Sequence, residues 1–355
     1  MPQGGQPPLE RKTRPTMRDV AALAGVAIKT VSRVVNGVTT VDPVLAARVN
    51  EAADKLGYRP NLTASNLRRS DGRTATIGML IEDAANPFSA ALTRTVENAA
   101  RERGVLVLIG SLDEDPARER ELVGALIDRR VDGLVIVPAG RDHSYLIKEQ
   151  RAGTCLVFLD REPQLLDADA VLSDNRQGAI NAVKHLLDAG HRRIAYLGDR
   201  ASISTAVQRF AGYRHALELA HIEVDEEIVR HQASTVEAAI EATEQLLGLP
   251  HPPSALFTSQ NLVTIGASRA LRTLGLHRTV AHVGFDDFPL ADMLQPGISV
   301  IAQDIEALGK LAAEILFRRL DGDQSPSRTF TVPTRLIVRG SGEIRNGEPR
   351  HDRTR

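Results

Sequence analysis

The chain has 355 residues, 42% of them hydrophobic and 25% charged, with a formal net charge of −1. That length exceeds what one hydrophobic core sustains, and the apolar fraction excludes wholesale disorder. The single cysteine, Cys155, excludes an internal disulfide framework and a Cys-rich zinc site.

No apolar run reaches the roughly 18 residues that a membrane helix needs, and the first residues lack the apolar core of a signal peptide. A soluble, cytoplasmic protein with no membrane partner is therefore expected. A charge near zero argues on its face against a polyanion-binding protein, but the charge is unevenly spread. Residues 1–72 hold eleven Lys and Arg against six Asp and Glu, a charge of +5, which leaves −6 on the remainder. A basic amino-terminal module on an acidic body is the asymmetry of a nucleic-acid-binding segment attached to something else.

In chain order, residues 1–15 are rich in Pro, Gly and Gln and read as a disordered tail. Thr16 followed by Asp19 reads as a capping box that opens a helix with Val20, Leu23 and Ala24 on its apolar face. Gly25 supplies a tight turn, and a second helix runs from about Ala27 to Val35. On it Val31, Val34 and Val35 point inward, while Lys29, Ser32 and Arg33 face away. A third helix starts at the N-cap Asp42 and Pro43, buries Val44, Leu45, Val49, Ala52 and Leu56, and stops at Gly57. Three short helices could form any small bundle. The outward cations on the second favour DNA, because an arginine fork grips the O6 and N7 edge of guanine in the major groove.

The strings DVAALAGVAIKTVSRVVNG and VNEAADKLGYRPN resemble the DNA-binding headpiece of the LacI/GalR family of bacterial transcriptional regulators. That pattern is close to D-V-A-x-x-A-G-V-S-x-x-T-V-S-R-V-x-N, and the main departure is Ala27, where the family usually has a capping serine. The resemblance implies that Ile28 and Lys29 choose among operator bases and that Arg33 reads guanine. It further implies that Thr30 and Ser32 touch bases or backbone, and that Thr16 and Asn36 hold phosphates. Residues 16–60 are thus the expected headpiece. By composition, residues 61–73 read as a polar connector. Asn61 is a good N-cap there, and Leu62, Ala64 and Leu67 make a weak apolar stripe. By resemblance the segment is a hinge helix ordered on operator DNA, with Asn61 among the DNA-contacting residues and Leu67 as the minor-groove wedge.

From Thr76 onward, short apolar runs (TIGMLI, VLVLIG, DGLVIV, CLVFLD, RIAYLG, SALFT, VAHVGF) read as buried strands. They alternate with amphipathic stretches such as Pro87–Arg103, Pro116–Arg129, Ala179–Ala189 and Asn261–Leu274. Such alternation predicts an α/β body of two doubly wound parallel-sheet lobes, with a small all-α helix-turn-helix headpiece. Lobe 1 is expected over 74–173 and 303–326, including a last helix Ile305–Leu320. Lobe 2 is expected over 174–302 and 327–342, with a polar tail at 343–355. Ligands of open parallel sheets bind outside the carboxyl ends of the strands, so the cleft between lobes is the expected site.

No phosphate-cradling glycine loop, nucleophile turn or H-E-x-x-H pair is present, so no catalytic residue, metal ligand or cofactor is expected. Cys155 reads as core rather than nucleophile. Asp286 and Asp287, as sequence neighbours at a strand end, point different ways and form no catalytic pair.

The family resemblance continues through DAANPFS, SDNRQGA, HLLDAGHRRIAYLGD, RFAGYRHAL, VGFDD and VPTRLIVRGS. It implies a periplasmic-binding-protein-like body that holds a small effector, a sugar or related metabolite. The effector-binding residues it implies are Phe88, Asp160, Arg161, Asp174, Arg209, Gln260 and Asp286. Ser89 replaces a usual second aromatic and tryptophan is absent, which predicts thin stacking and a smaller, more polar or anionic effector. The whole reads as a repressor that binds a pseudo-palindromic operator as a homodimer. The tail has no leucine heptads to build a tetramer. A cytoplasmic sugar-binding protein and a sugar-modifying enzyme are the rival readings of the two-lobed body.

Overall fold

The computed structural model describes residues 15–35, 38, 40–59 and 73–347. The expected tail before residue 15, Asn36, the hinge with Asn61 and Leu67, and the chain after residue 347 lie outside the described residues. The chain divides into two compact units, Met1–Thr74 and Ala75–Arg355.

Among its described residues the first unit has three helices: α1 (Met17–Ala24), α2 (Ile28–Val35) and α3 (Pro43–Leu56). The capping box forms as the spacing predicts. The Asp19 carboxylate accepts from the Thr16 backbone N–H at 2.7 Å, and Thr16 Oγ1 accepts from the Asp19 N–H at 3.4 Å. These bonds with Thr16 hold the Asp19 carboxyl below its ordinary value. Gly25 ends α1 at φ 63, and a Cβ there would stand 2.9 Å from the Arg48 guanidinium. That guanidinium donates to the Ala24 carbonyl at 2.6 Å and so ties α3 to the end of α1. Val20, Ala21, Ala24, Val31, Val49 and Ala52 are the buried core. Two expected core positions are solvent-facing instead: Leu23 is 53% exposed and Val44 68%. A bundle this small buries one narrow stripe per helix, and Ala21 takes the place assigned to Leu23.

The second unit carries two six-stranded sheets. In the first, β1 (Thr76–Ile81), β2 (Leu106–Ser111), β3 (Gly133–Ile136), β4 (Cys155–Leu159), β5 (Asp169–Ser173) and β11 (Thr329–Val332) run in the order β11-β5-β4-β3-β1-β2, all parallel. In the second, β6 (Ile194–Leu197), β7 (Val229–Arg230), β8 (Ala255–Thr258), β9 (Ala281–Phe285), β10 (Ser299–Ala302) and β12 (Arg335–Ile337) run β12-β10-β9-β8-β6-β7. Only β12 is antiparallel. The main helices that connect the strands are α4 (Pro87–Glu102), α5 (Pro116–Asp128), α6 (Ile147–Arg151), α7 (Asn175–Asp188), α8 (Ser204–Leu219), α9 (Val236–Leu247), α10 (Asn261–Thr273) and α11 (Ile305–Leu320). Leu308, Ala312 and Leu316 of α11 pack into the core of the first lobe beside Leu92 and Val96 of α4.

The chain crosses between lobes after β5, after β10 and after β11. The third crossing differs from the expected boundary at residues 326–327. Thr329–Val332 pairs with β5 in lobe 1, and Arg335–Ile337 joins β10 in lobe 2, so the switch falls at Pro333 and Thr334. The stretch is too short and polar to show two strands in sequence. Pro333, which cannot donate to a ladder, marks the break. The run VLVLIG is likewise an edge rather than a buried strand, with Leu106 62% and Ile109 49% exposed.

Candidate nucleic-acid interface and ligand cleft

On α2 the inward stripe is anchored by fully buried Val31. Ile28, Lys29 and Arg33 are exposed, Ile28 at 47%, and Thr30 and Ser32 are half-buried. The Arg33 guanidinium donates to Thr40 Oγ1 at 2.7 Å, which holds its fork on the outer face. Thr16 is exposed, with its hydroxyl donating to the Asp19 carboxylate at 2.8 Å, so the position offered for phosphate also serves as a helix cap. Ala27 occupies the N-cap of α2: its carbonyl accepts from the Thr30 and Val31 N–H groups, and its methyl can cap nothing. Ala27→Ser is expected to raise headpiece stability by about 1 kcal/mol, read as a shifted midpoint of its thermal transition by circular dichroism.

In the second unit, the carboxyl ends of both sheets meet at a narrow polar cleft. Six of the seven residues expected to bind effector line it: Phe88, Asp160, Arg161, Arg209, Gln260 and Asp286. Asp174 does not; its carboxylate caps α7 and accepts from the Gln177 N–H at 3.0 Å. A carboxylate at a helix N-terminus is satisfied there by the unpaired N–H groups.

Asp160 and Asp286 occupy equivalent places, one residue beyond β4 and β9. Both have φ 66, and each N–H donates to the next strand, to Val171 and Ile301. This left-handed kink turns each carboxylate off the end of its strand. Asp287 points away, to Arg339 at 2.6 and 2.7 Å.

Arg209 is 5% exposed. It donates to Asn175 Oδ1 at 2.8 Å and the Ser259 carbonyl at 2.6 Å, approaches Asp286 at 3.5 Å, and lies 3.9 Å over the Phe285 ring. Asp286 also accepts from Gln303 at 2.6 Å, and Gln303 in turn accepts from Ser173. Arg161 makes a bidentate pair with Glu114 at 2.6 and 2.8 Å and donates to the Pro138 carbonyl. Gln260 caps α10 through the Leu262 N–H at 2.9 Å.

The sequence reading missed Glu82, Asn86, Asp199, Thr205, Ser259, Asn261 and Gln303, all of which line the cleft. Glu82 and Asp199 lie just past β1 and β6, where the strand-end rule could have flagged them. Asn86 and Asn261 bond one another across the lobes at 2.8 Å, a pairing that no local pattern announces. Arg141 makes a second bridge, donating to the Ser202 carbonyl at 2.7 and 3.0 Å.

Burial holds Asp160 above the ordinary carboxylate value, against the pull of Arg161 and Arg209. Burial, reinforced by Glu114, Asp199 and Asp160, pushes Glu82 up to about 7 despite the nearby Arg161. An acid whose folded pKa is raised costs the native state nothing below its ordinary value of 4.5, and that cost grows until pH passes about 7. Glu82→Gln should therefore match the parent in thermal stability at low pH and exceed it increasingly toward neutrality. Equal melting temperatures throughout a pH series of unfolding scans would refute the uncompensated charge.

A three-helix headpiece with cations on one outward face, followed by a two-lobed α/β body with a polar interlobe cleft, defines the class of ligand-responsive DNA-binding regulators. Residues 16–61 match the model of the lacI family of bacterial regulatory proteins, and residues 183–342 match a periplasmic binding protein-like domain. The transcriptional repressor CytR of Escherichia coli K12 is 30% identical over 334 residues, 94% of this chain and 97% of that protein. The regulator CelR of Thermobifida fusca is 33% identical over 346 residues, 94% of this chain and all of that one. Among solved structures, a CelR–cellobiose complex is similar at 32% identity and TM-score 0.68, covering 92% of this chain and 100% of that one. The Lac repressor dimer bound to operator and the anti-inducer ONPF is similar at 26% identity and TM-score 0.80, covering 93% and 99%. The chain belongs to the LacI family of bacterial transcriptional regulators.

Proposed function

We propose that this chain is a cytoplasmic repressor that binds a pseudo-palindromic operator as a homodimer. A small polyhydroxylated effector in the interlobe cleft sets its operator affinity. In this reading the cleft binds and does not catalyse. The observation that carries it is the coexistence in one chain of an outward Ile28, Lys29 and Arg33 face with a cleft whose carboxylates, amides and guanidinium suit hydroxyl groups. The CelR–cellobiose complex and the operator-bound Lac repressor dimer support the sugar and dimer parts. Exposed Leu106 and Ile109 on edge strand β2 offer an apolar surface for a second copy to cover.

Residues 61–73 would be the hinge, with Asn61 and Leu67 ordering on DNA and Asn36 and Thr16 on phosphates. Contacts of this kind at each half-site fix register, while Arg33 and its neighbours specify sequence. A gel shift on the DNA upstream of its own gene, with and without candidate sugars, tests the reading. A retarded band of dimer stoichiometry that a sugar weakens or strengthens is expected. Failure to retard that DNA in preference to random DNA would reject the operator assignment. Retardation indifferent to every sugar would reject the effector.

A further inference from the structure

The cations of the cleft are already committed. The Arg161 fork is taken by Glu114, and Arg209 by Asn175, the Ser259 carbonyl and Asp286. Among the described residues Glu82 and Asp199 line the cleft outside any ion pair, and Asp160 has only a loose one. Asp160 is 7% exposed, and its Oδ1 is buried with no hydrogen-bond partner. The approach of Arg161 Nε to its other oxygen is a loose 3.8 Å. The Arg161 Nε–H is buried in the same cleft and also unpartnered.

We propose that the effector is a polyhydroxylated amine of the amino-sugar type, whose ammonium pairs with Asp160 on the acidic side of the cleft that Glu82 and Asp199 also line. The inference rests on the cleft being the effector site and deepens that reading. A buried carboxylate without a counter-charge is destabilising, and a ligand that brings the missing positive charge gains more than a neutral one of the same shape. A neutral polyol could donate to Asp160 Oδ1 but would leave the surplus charge in place. An anionic effector, which the scarcity of aromatics first suggested, would add to it.

Glu82 and Asp160 come from lobe 1 and Asp199 from lobe 2, so both lobes present negative charge to the bound amine. A bare metal ion fits poorly: among the described residues no three His, Cys, Asp or Glu side chains gather to hold one. The remaining lining supplies the rest of the frame. Phe88 offers one apolar face, and Gln260, Ser259 and Arg161 Nε–H offer donors for ring oxygens and hydroxyls.

Calorimetry and thermal shift on the full-length protein at neutral pH would use charge-matched probes: glucose, glucosamine, N-acetylglucosamine and gluconate, and the corresponding galactose set. At least one free amine should bind about tenfold or more tighter than its neutral parent and its N-acetyl form, and Asp160→Asn should shrink that preference to about twofold. Asp199→Asn gives the same reading should the first variant fold poorly. A neutral sugar or sugar acid that binds as well as its amine overturns the proposal and leaves the sugar-effector reading standing. So does an amine preference untouched by both variants. Absence of binding by every probe, whatever its charge, overturns both.

Discussion

Arg209→Ala is expected to destabilise the two-lobed unit by about 3–5 kcal/mol and to abolish any effector response. The guanidinium is buried, and its loss strands three partners at once. Asp286 loses the cation 3.5 Å from it, and the Asn175 side chain and Ser259 carbonyl lose their donor. Breaking one member of such a set costs far more than the pair contributes, because the remaining charge stays out of water. Arg209→Lys should recover part of the loss, since one ammonium can reach Asp286 but cannot serve three acceptors as a planar fork does. Urea unfolding of the parent and both variants measures the ordering. A midpoint for the alanine variant that matches the parent would show that the network does not hold the lobe together.

Arg33→Ala is expected to leave the fold intact and to lose about 1–3 kcal/mol of discrimination at one base pair. Arg33 is exposed and, among the described residues, its side chain donates to Thr40 at 2.7 Å, so truncation disturbs little of the Val20, Val31 and Val49 core. Non-specific affinity should fall only by the loss of one positive charge. Competition gel shifts at fixed salt, with operator against random duplex, give the ratio. An unchanged ratio would remove Arg33 from the reading role.

Much of the headpiece was legible from local chemistry. A capping box, an N-cap followed by proline, and glycines at the left-handed helix ends act within a few residues of themselves, so their signatures stand in the string. The errors there, Leu23 and Val44, are apolar residues on a bundle too small to cover every hydrophobic side chain. In the larger unit the buried strands announced themselves as continuous apolar runs, and α11 appeared where the 3.6-residue periodicity placed it. β5, β10, β11 and β12 were harder. Short strands at a lobe crossing take their identity from the partner they pair with, and that partner is distant in sequence.

The net charge of −1 described neither unit. What the sequence determined by itself was the division into a basic headpiece and an acidic α/β body, and the type of each. Helix capping, apolar periodicity and charge distribution are local properties of the chain. The family's site residues could be assigned only as a set of positions. Tertiary structure alone decided that Asp174 spends its carboxylate on a helix end, and that Arg161 is committed to Glu114, 47 residues away. It also brought Glu82 and Asp199 into the same cleft as Asp160. Whether a charge is compensated depends on what lies within a few ångströms of it, and folding sets those neighbours.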